Sequence, residues 1–125
     1  MERVRGNIHI NGRPAWTLYD TGSRNSYALS ESVNGSPVIT LRDPFRVRIG
    51  GGKYRLRKQA VISARIENKP VSFNAFIIDD LGNDEDGKKI QVLFGALDMR
   101  RFGIRPVPDK EKLDLSNYTR DFVEY

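Results

Sequence analysis

Trp16-Thr17-Leu18-Tyr19-Asp20-Thr21-Gly22-Ser23 is the stretch on which the fold turns. An apolar run with strand-forming residues carries a single carboxylate into a turn. Asp and Gly are both turn formers, Asp through local hydrogen bonds and Gly through its freedom at positive φ. The same chemistry serves an ordinary surface turn, and short motifs recur by chance, so the flanking residues decide the reading. Upstream, Ile8 and Ile10 alternate with polar residues, and Asn11-Gly12 separates them from the strand-like run Ala15 to Leu18. Asn-Gly between two such runs is a strong hairpin signal. Pro14, which has no N–H for a ladder, belongs near a strand start or edge. The second strand of this hairpin delivers Asp20 to its turn.

Downstream the chain reads as more short strands. Residues 24 to 37 are polar and broken by Asn34-Gly35-Ser36-Pro37, with one short helical turn expected over Tyr27-Ala28-Leu29-Ser30-Glu31. Phe45, Val47 and Ile49 then alternate with Arg46 and Arg48. After Gly50-Gly51-Gly52-Lys53, Tyr54 and Leu56 alternate with Arg55 and Arg57. Period two on both sides of a glycine cluster predicts a hairpin with one apolar and one basic face. The four arginines are expected to form a solvated, edge-protecting face. Two further strands, Ala60 to Ile66 and Val71 to Ile78, flank Asn68-Lys69-Pro70. Asp79 to Lys89 reads as a solvated acidic loop. Ile90 to Phe94 returns to strand, and Ala96 to Phe102 suits a short helix capped by Gly103. The tail keeps Leu113, Leu115, Tyr118, Phe122, Val123 and Tyr125. It serves either as a subunit-interface strand or as packing on its own protomer.

The chain has 125 residues, no cysteine, one histidine and a formal charge of +5. That length predicts one domain, 1–125, with a core over about residues 8–104 and a tail over 105–125. The absence of cysteine excludes disulfides and thiolate metal sites, and His9 alone argues against zinc. No nucleophile elbow accompanies His9 for a Ser-His-Asp triad. Asp79-Asp80 and Asp84-Glu85-Asp86 lack the alternating ligand spacing of a calcium loop. Gly50-Gly51-Gly52-Lys53 has the wrong spacing for a phosphate-binding loop. Neither a metal nor another cofactor is expected. The positive charge permits nucleic-acid binding, but the basic hairpin lacks the interleaved exposed aromatics of single-strand binders. No apolar run approaches membrane-spanning length and no signal region opens the chain. A free-standing cytoplasmic protein beginning at Met1 is the expectation.

Taken in order, the Asp20-Thr21-Gly22-Ser23 loop, the glycine-tipped hairpin 45–57, Val92-Leu93-Phe94-Gly95 and the helix from Ala96 to Gly103-Ile104 resemble the retropepsin-like aspartic protease family. Cellular archaeal and bacterial members are more similar to this chain than retroviral polyprotein segments. The resemblance covers roughly Ile8 to Ile104. It implies an all-β, closed acid-protease barrel-like fold with a flap hairpin and one short C-terminal helix. In that family two apolar residues followed by Gly pass beneath the active-site loop. Here one extra residue separates Val92-Leu93 from Gly95, or Leu93-Phe94-Gly95 is itself the element. The helix acid, Asp98, falls one place later than in the family pattern, and Ala96 replaces a polar residue. Asp98 is read as a solvated helix or capping residue.

The resemblance further implies an aspartic endopeptidase. Hydrolysis without metal or covalent nucleophile needs a positioned water, a base and an acid. Two carboxyls roughly 3 Å apart share one proton and supply both. This chain has one such loop, so the implied enzyme is a homodimer with Asp20 from each protomer and a polypeptide substrate. Thr21 is expected to bond across to the partner loop, Gly22 to bring its N–H to the carboxylate, and Ser23 to bond the outer carboxylate oxygen. Ile49, Gly50, Gly51, Gly52 and Tyr54 are expected to cover the substrate, and Leu93, Phe94 and Gly95 to brace the loop. The alternative is a non-catalytic retropepsin-like dimerisation or peptide-binding module.

Overall fold

The structure, a computed structural model, describes residues 2–124; Met1 and Tyr125, named in the expectations for the start and the tail, lie outside them. Strands β1 (Arg3–Ile10) and β2 (Arg13–Asp20) form the first hairpin. Its turn works as the sequence predicts, with Asn11 at φ 51° and Gly12 at φ 78°. Strand β3 (Tyr27–Leu29) leads into a 3-10 turn, Ser30–Val33. The helical turn expected from Tyr27 is therefore displaced. Tyr27, Ala28 and Leu29 are buried and paired on both edges, with β6 (Lys69–Ile78) and β7 (Val92–Phe94). A short strand buried on both faces carries no alternation to betray it.

Strands β4 (Val38–Ile49) and β5 (Gly52–Ile66) make the long glycine-tipped hairpin. Ile49 pairs with Gly52, so Gly52 already belongs to a strand and the tip is Gly50-Gly51. The pairing shifts register between Thr40 and Phe45, where Pro44 withholds a ladder donor. Strand β5 runs unbroken through Lys58 and Gln59, joining two runs that the sequence separates. Its turn into β6 is Glu67-Asn68, both at positive φ, and Lys69 and Pro70 are already strand.

The main sheet has the order β1-β2-β7-β3-β6-β5-β4, and β5 returns to β1 through His9↔Arg65 and Ile10↔Ala64. Six strands thus close on themselves, leaving β4 on the outer edge of β5. Inside, Ile8, Tyr19, Ile62, Ile66, Phe73 and Phe94 form the main core. A second cluster, Tyr27, Leu29, Leu56, Phe76, Ile78 and Leu93, lies under the long hairpin, with Leu41, Val47, Ile49 and Tyr54 packed against it. Helix α1 (Ala96–Phe102) buries Met99 and Phe102 and ends at Gly103, φ 69°.

The tail folds back on its own protomer. Strand β8 (Arg105–Val107) pairs with β9 (Lys112–Asp114), and Leu113, Leu115 and Tyr118 pack against the main core. The Tyr118 hydroxyl donates to the Pro70 carbonyl, and Thr119 N–H to the Phe102 carbonyl at 3.1 Å. Phe122 meets the edge of Phe102 at 5.9 Å between ring centres.

The acidic loop is less solvated than its composition predicts. The Asp84 side chain is 3% exposed. It accepts from the Trp16 indole N–H at 2.8 Å and from the backbone N–H groups of Asp86 and Lys88 at 2.9 Å, and Arg5 lies 3.3 Å away. Burial alone would raise its pKa; these donors and the Arg5 charge outweigh it and hold the carboxyl below its usual range. Among the described residues no cluster of His, Asp or Glu could hold a metal ion, and no helix is long and apolar enough to cross a membrane.

Candidate active site

Strand β2 ends at Asp20, whose side chain is only 9% exposed. The turn that follows is built around its carboxylate. Gly22 N–H donates to Asp20 Oδ1 at 2.8 Å, and Ser23 N–H to the Asp20 carbonyl at 3.2 Å. Arg3 Nε lies 3.4 Å from Asp20 Oδ2. Gly22 N–H thus meets the carboxylate, while the Ser23 hydroxyl turns away from it. The Ser23 hydroxyl donates to the Asn25 carbonyl at 2.9 Å, the local side-chain-to-backbone bond that serine favours in turns. Thr21 is tied to the chain start: Thr21 N–H donates to the Glu2 carbonyl at 2.9 Å, and Glu2 N–H to Thr21 Oγ1 at 2.8 Å.

The loop is braced from one side by β7 and α1. Thr17, Leu18 and Tyr19 pair in parallel with Val92, Leu93 and Phe94. Tyr19 and Phe94 are both buried, in an edge-on contact of 5.6 Å, and burial pushes the Tyr19 phenol well above its ordinary pKa. Beyond them the chains approach so closely that a Cβ on Gly95 would lie 2.2 Å from the Asn25 carbonyl oxygen. Only glycine fits there. Ala96 N–H then donates to the Ser23 carbonyl at 2.7 Å, and Leu97 N–H to the Arg24 carbonyl at 3.2 Å.

Ser26 and Asp98 complete the brace. The buried Ser26 hydroxyl accepts from Gly95 N–H at 2.9 Å and donates to Asp98 Oδ2 at 2.6 Å. Asp98 is therefore neither a solvated helix residue nor a cap; it anchors the loop to the helix. Burial pushes its carboxyl above the usual range, against the Ser26 hydrogen bond and the Arg101 charge. Ser26 carries no signal in the sequence, because its partners are distant along the chain.

A cavity of about 390 Å³ lies between this loop and the tip of the long hairpin. Of the residues expected to form the site, Asp20, Gly22, Ser23, Ile49, Gly50 and Leu93 border it. Thr21, Gly51, Gly52, Tyr54, Phe94 and Gly95 do not. Phe94 and Gly95 act from beneath the loop. The Tyr54 ring lies against Gly52, where an added Cβ would come within 2.7 Å of it. The same cavity is bordered by Arg24, Tyr27, Val47 and Arg48, which sequence reasoning missed. Tyr27 hides in the short buried strand. Arg48 sits on the polar side of the period-two pattern, yet it borders this cavity beside the hairpin tip. Arg46, Lys53, Tyr54 and Arg55 border a second hollow along the hairpin, and Val47 and Arg48 border both.

Two solved structures share this arrangement of strands. The retroviral protease-like domain of Ddi1 from Leishmania major superimposes with a TM-score of 0.66 at 14% identity, over 94% of this chain and 90% of that one. The chain has a retropepsin-like fold. The protease of Simian Foamy Virus (mac) matches with a TM-score of 0.52 at 9% identity, over 82% of this chain and 99% of that one. At these identities the likeness is one of fold. No family model and no curated protein matches the sequence. Within the retropepsin-like fold, the closed strands and α1 supply the base beneath Asp20, and β4 and β5 supply the long hairpin whose tip borders its cavity.

Proposed function

We propose that this protein is an aspartic endopeptidase whose active species is a homodimer, with one Asp20 from each protomer forming the catalytic dyad. The observation that carries this reading is the shared cavity: a nearly buried carboxylate, held by Gly22 N–H, faces Ile49 and Gly50 of a flap tip. A polypeptide would lie there as an extended strand, held through its main chain. One carboxylate of the dyad takes a proton from the water as its oxygen attacks the peptide carbonyl carbon. The other, protonated, carboxyl polarises the carbonyl oxygen. Collapse of the tetrahedral adduct breaks the C–N bond, the amide nitrogen takes a proton from the dyad, and a carboxyl and an amine leave.

One observation favours a second reading, a dimerisation or peptide-binding module without turnover. Asp20 is already paired with Arg3, and the backbone and hydroxyl of Thr21 with Glu2. Activation then requires these contacts to yield when two protomers meet. Incubation with a diverse peptide mixture from acid to neutral pH, read by mass spectrometry, separates the readings. The endopeptidase gives discrete products that vanish with Asp20→Asn. A module yields none at any pH, and products that persist in the variant do not come from Asp20.

A further inference from the structure

The positive charge of this chain is concentrated in one element. Between Arg42 and Lys58 stand seven basic side chains and one acidic, Asp43, more than the whole chain's excess of +5. Among the described residues none of those seven takes part in an ion pair or a side-chain hydrogen bond; the ion pairs lie elsewhere, at Arg3, Arg5, Lys89 and Arg105. Arg48 brings this charge to the rim of the cavity beneath the flap. Facing it from the active-site loop is Arg24, also exposed and also without an ion pair among the described residues. The only acidic residue bordering the cavity is Asp20, which Arg3 already accompanies. The rest of the lining is neutral, with Tyr27, Val47, Ile49 and Leu93 apolar.

We infer that the cavity selects polypeptides carrying an Asp or Glu side chain close to the bond held at Asp20, with apolar side chains beside it. The inference rests on the proposed peptide-cleaving reading for the location of the site. A cleft rimmed by one sign of charge focuses its field and attracts the opposite sign. Guanidinium groups give carboxylates charge-assisted, often two-pronged hydrogen bonds. The apolar floor suits the neighbouring side chains of an extended peptide, which alternate between the two faces. Nucleic acid fits less well, because the rim encloses a carboxylate and an apolar floor rather than a stacking surface.

The test uses the full chain carrying Asp20→Asn, so that binding is read without turnover. Fluorescent, otherwise uncharged peptides rich in Leu, Ala and Thr carry Glu or Gln at each internal position in turn, and anisotropy gives their Kd. At the favoured position the Glu peptide should bind about tenfold more tightly than its Gln twin at low salt. That advantage should shrink in about 0.5 M salt, where charges are screened within a few ångströms. Adding Arg24→Gln or Arg48→Gln should reduce it further, while the Gln peptide binds as before. The salt series needs no further substitution, so the test survives a variant that fails to fold. Equal binding of the Glu and Gln peptides at every position, no binding of either, or tighter capture of a single-stranded oligonucleotide would each overturn the inference. The same peptides given to the unmodified protein keep the two readings apart. Glu-selective binding without cleavage sinks the endopeptidase and leaves the charge selection standing. Cleavage indifferent to Glu does the reverse.

Discussion

On the proposed reading the loop at Asp20 is the active-site loop and the β4–β5 hairpin its flap; the two border one cavity and are built in opposite ways. From Asp20 to Ser26 the loop is bonded at nearly every turn: Gly22 to the carboxylate, Ser23 to Asn25 and Ala96, Arg24 to Leu97, Ser26 to Gly95 and Asp98. The flap is held by its β4–β5 ladder and by one apolar face, and its basic side chains have no partners among the described residues. Its tip, Gly50-Gly51, touches little: a Cβ on either would meet nothing within 4 Å. The proposed peptide-cleaving site calls for this division, with a rigid half that holds the carboxylate and a loosely held half that admits the polypeptide.

The largest contrast is expected when a glycine in each half is replaced by alanine. Gly95→Ala sets a methyl group against the Asn25 backbone, which cannot move without disturbing the loop. It should cost about 3 kcal/mol, at the upper end of overpacking effects. Gly51→Ala in the flap should change stability by no more than about 0.5 kcal/mol. Urea denaturation of both proteins checks the pair, and comparable losses would mean that the loop is no more tightly held than the flap.

Ser26→Ala comes next. It removes the acceptor of Gly95 N–H and the donor to Asp98 together, leaving partly buried polar groups without partners. A loss of about 2 kcal/mol is expected, with any peptide cleavage lowered as the loop slackens. A variant as stable as the parent would show that the Ser26–Asp98 link is dispensable.

The smallest effect is the pH dependence of Asp98. Burial raises its carboxyl above the ordinary 3.8, so the folded chain binds that proton more tightly than the unfolded chain. Its contribution to stability is therefore greatest below the ordinary value and declines as pH rises through the raised one. Asp98→Asn lacks this dependence and should gain on the parent between acid and neutral pH. Denaturation midpoints at the two pH values check it, and a constant or reversed difference would contradict the assigned shift.

What the sequence makes legible is what is local. The Asn11-Gly12 turn, the loop at Asp20, the flap and the capped helix carry local signals: turn residues, period-two alternation, a terminal glycine. Each lies where those signals point. Tyr27–Leu29 is a strand buried on both faces and too short to show a period. The Ser26–Asp98 link and the Asp84 hub join residues far apart in the chain, and neither partner is unusual by itself. Asp84 looks like one more acid in a polar loop until the Trp16 indole and Arg5 close over it. Arg48 follows the alternation that puts it on the polar face. Only the folding of the hairpin tip beside Asp20 makes that position a rim.

Mixing shows whether two chains share one site. Unmodified protein and Asp20→Asn are combined and allowed to exchange subunits at fixed total concentration, and cleavage of a peptide substrate is followed as the unmodified fraction falls. If each dyad needs Asp20 from both protomers, activity should fall as the square of that fraction, because mixed dimers are inactive. Activity in simple proportion to the fraction would mean that each chain works alone, and would contradict the account.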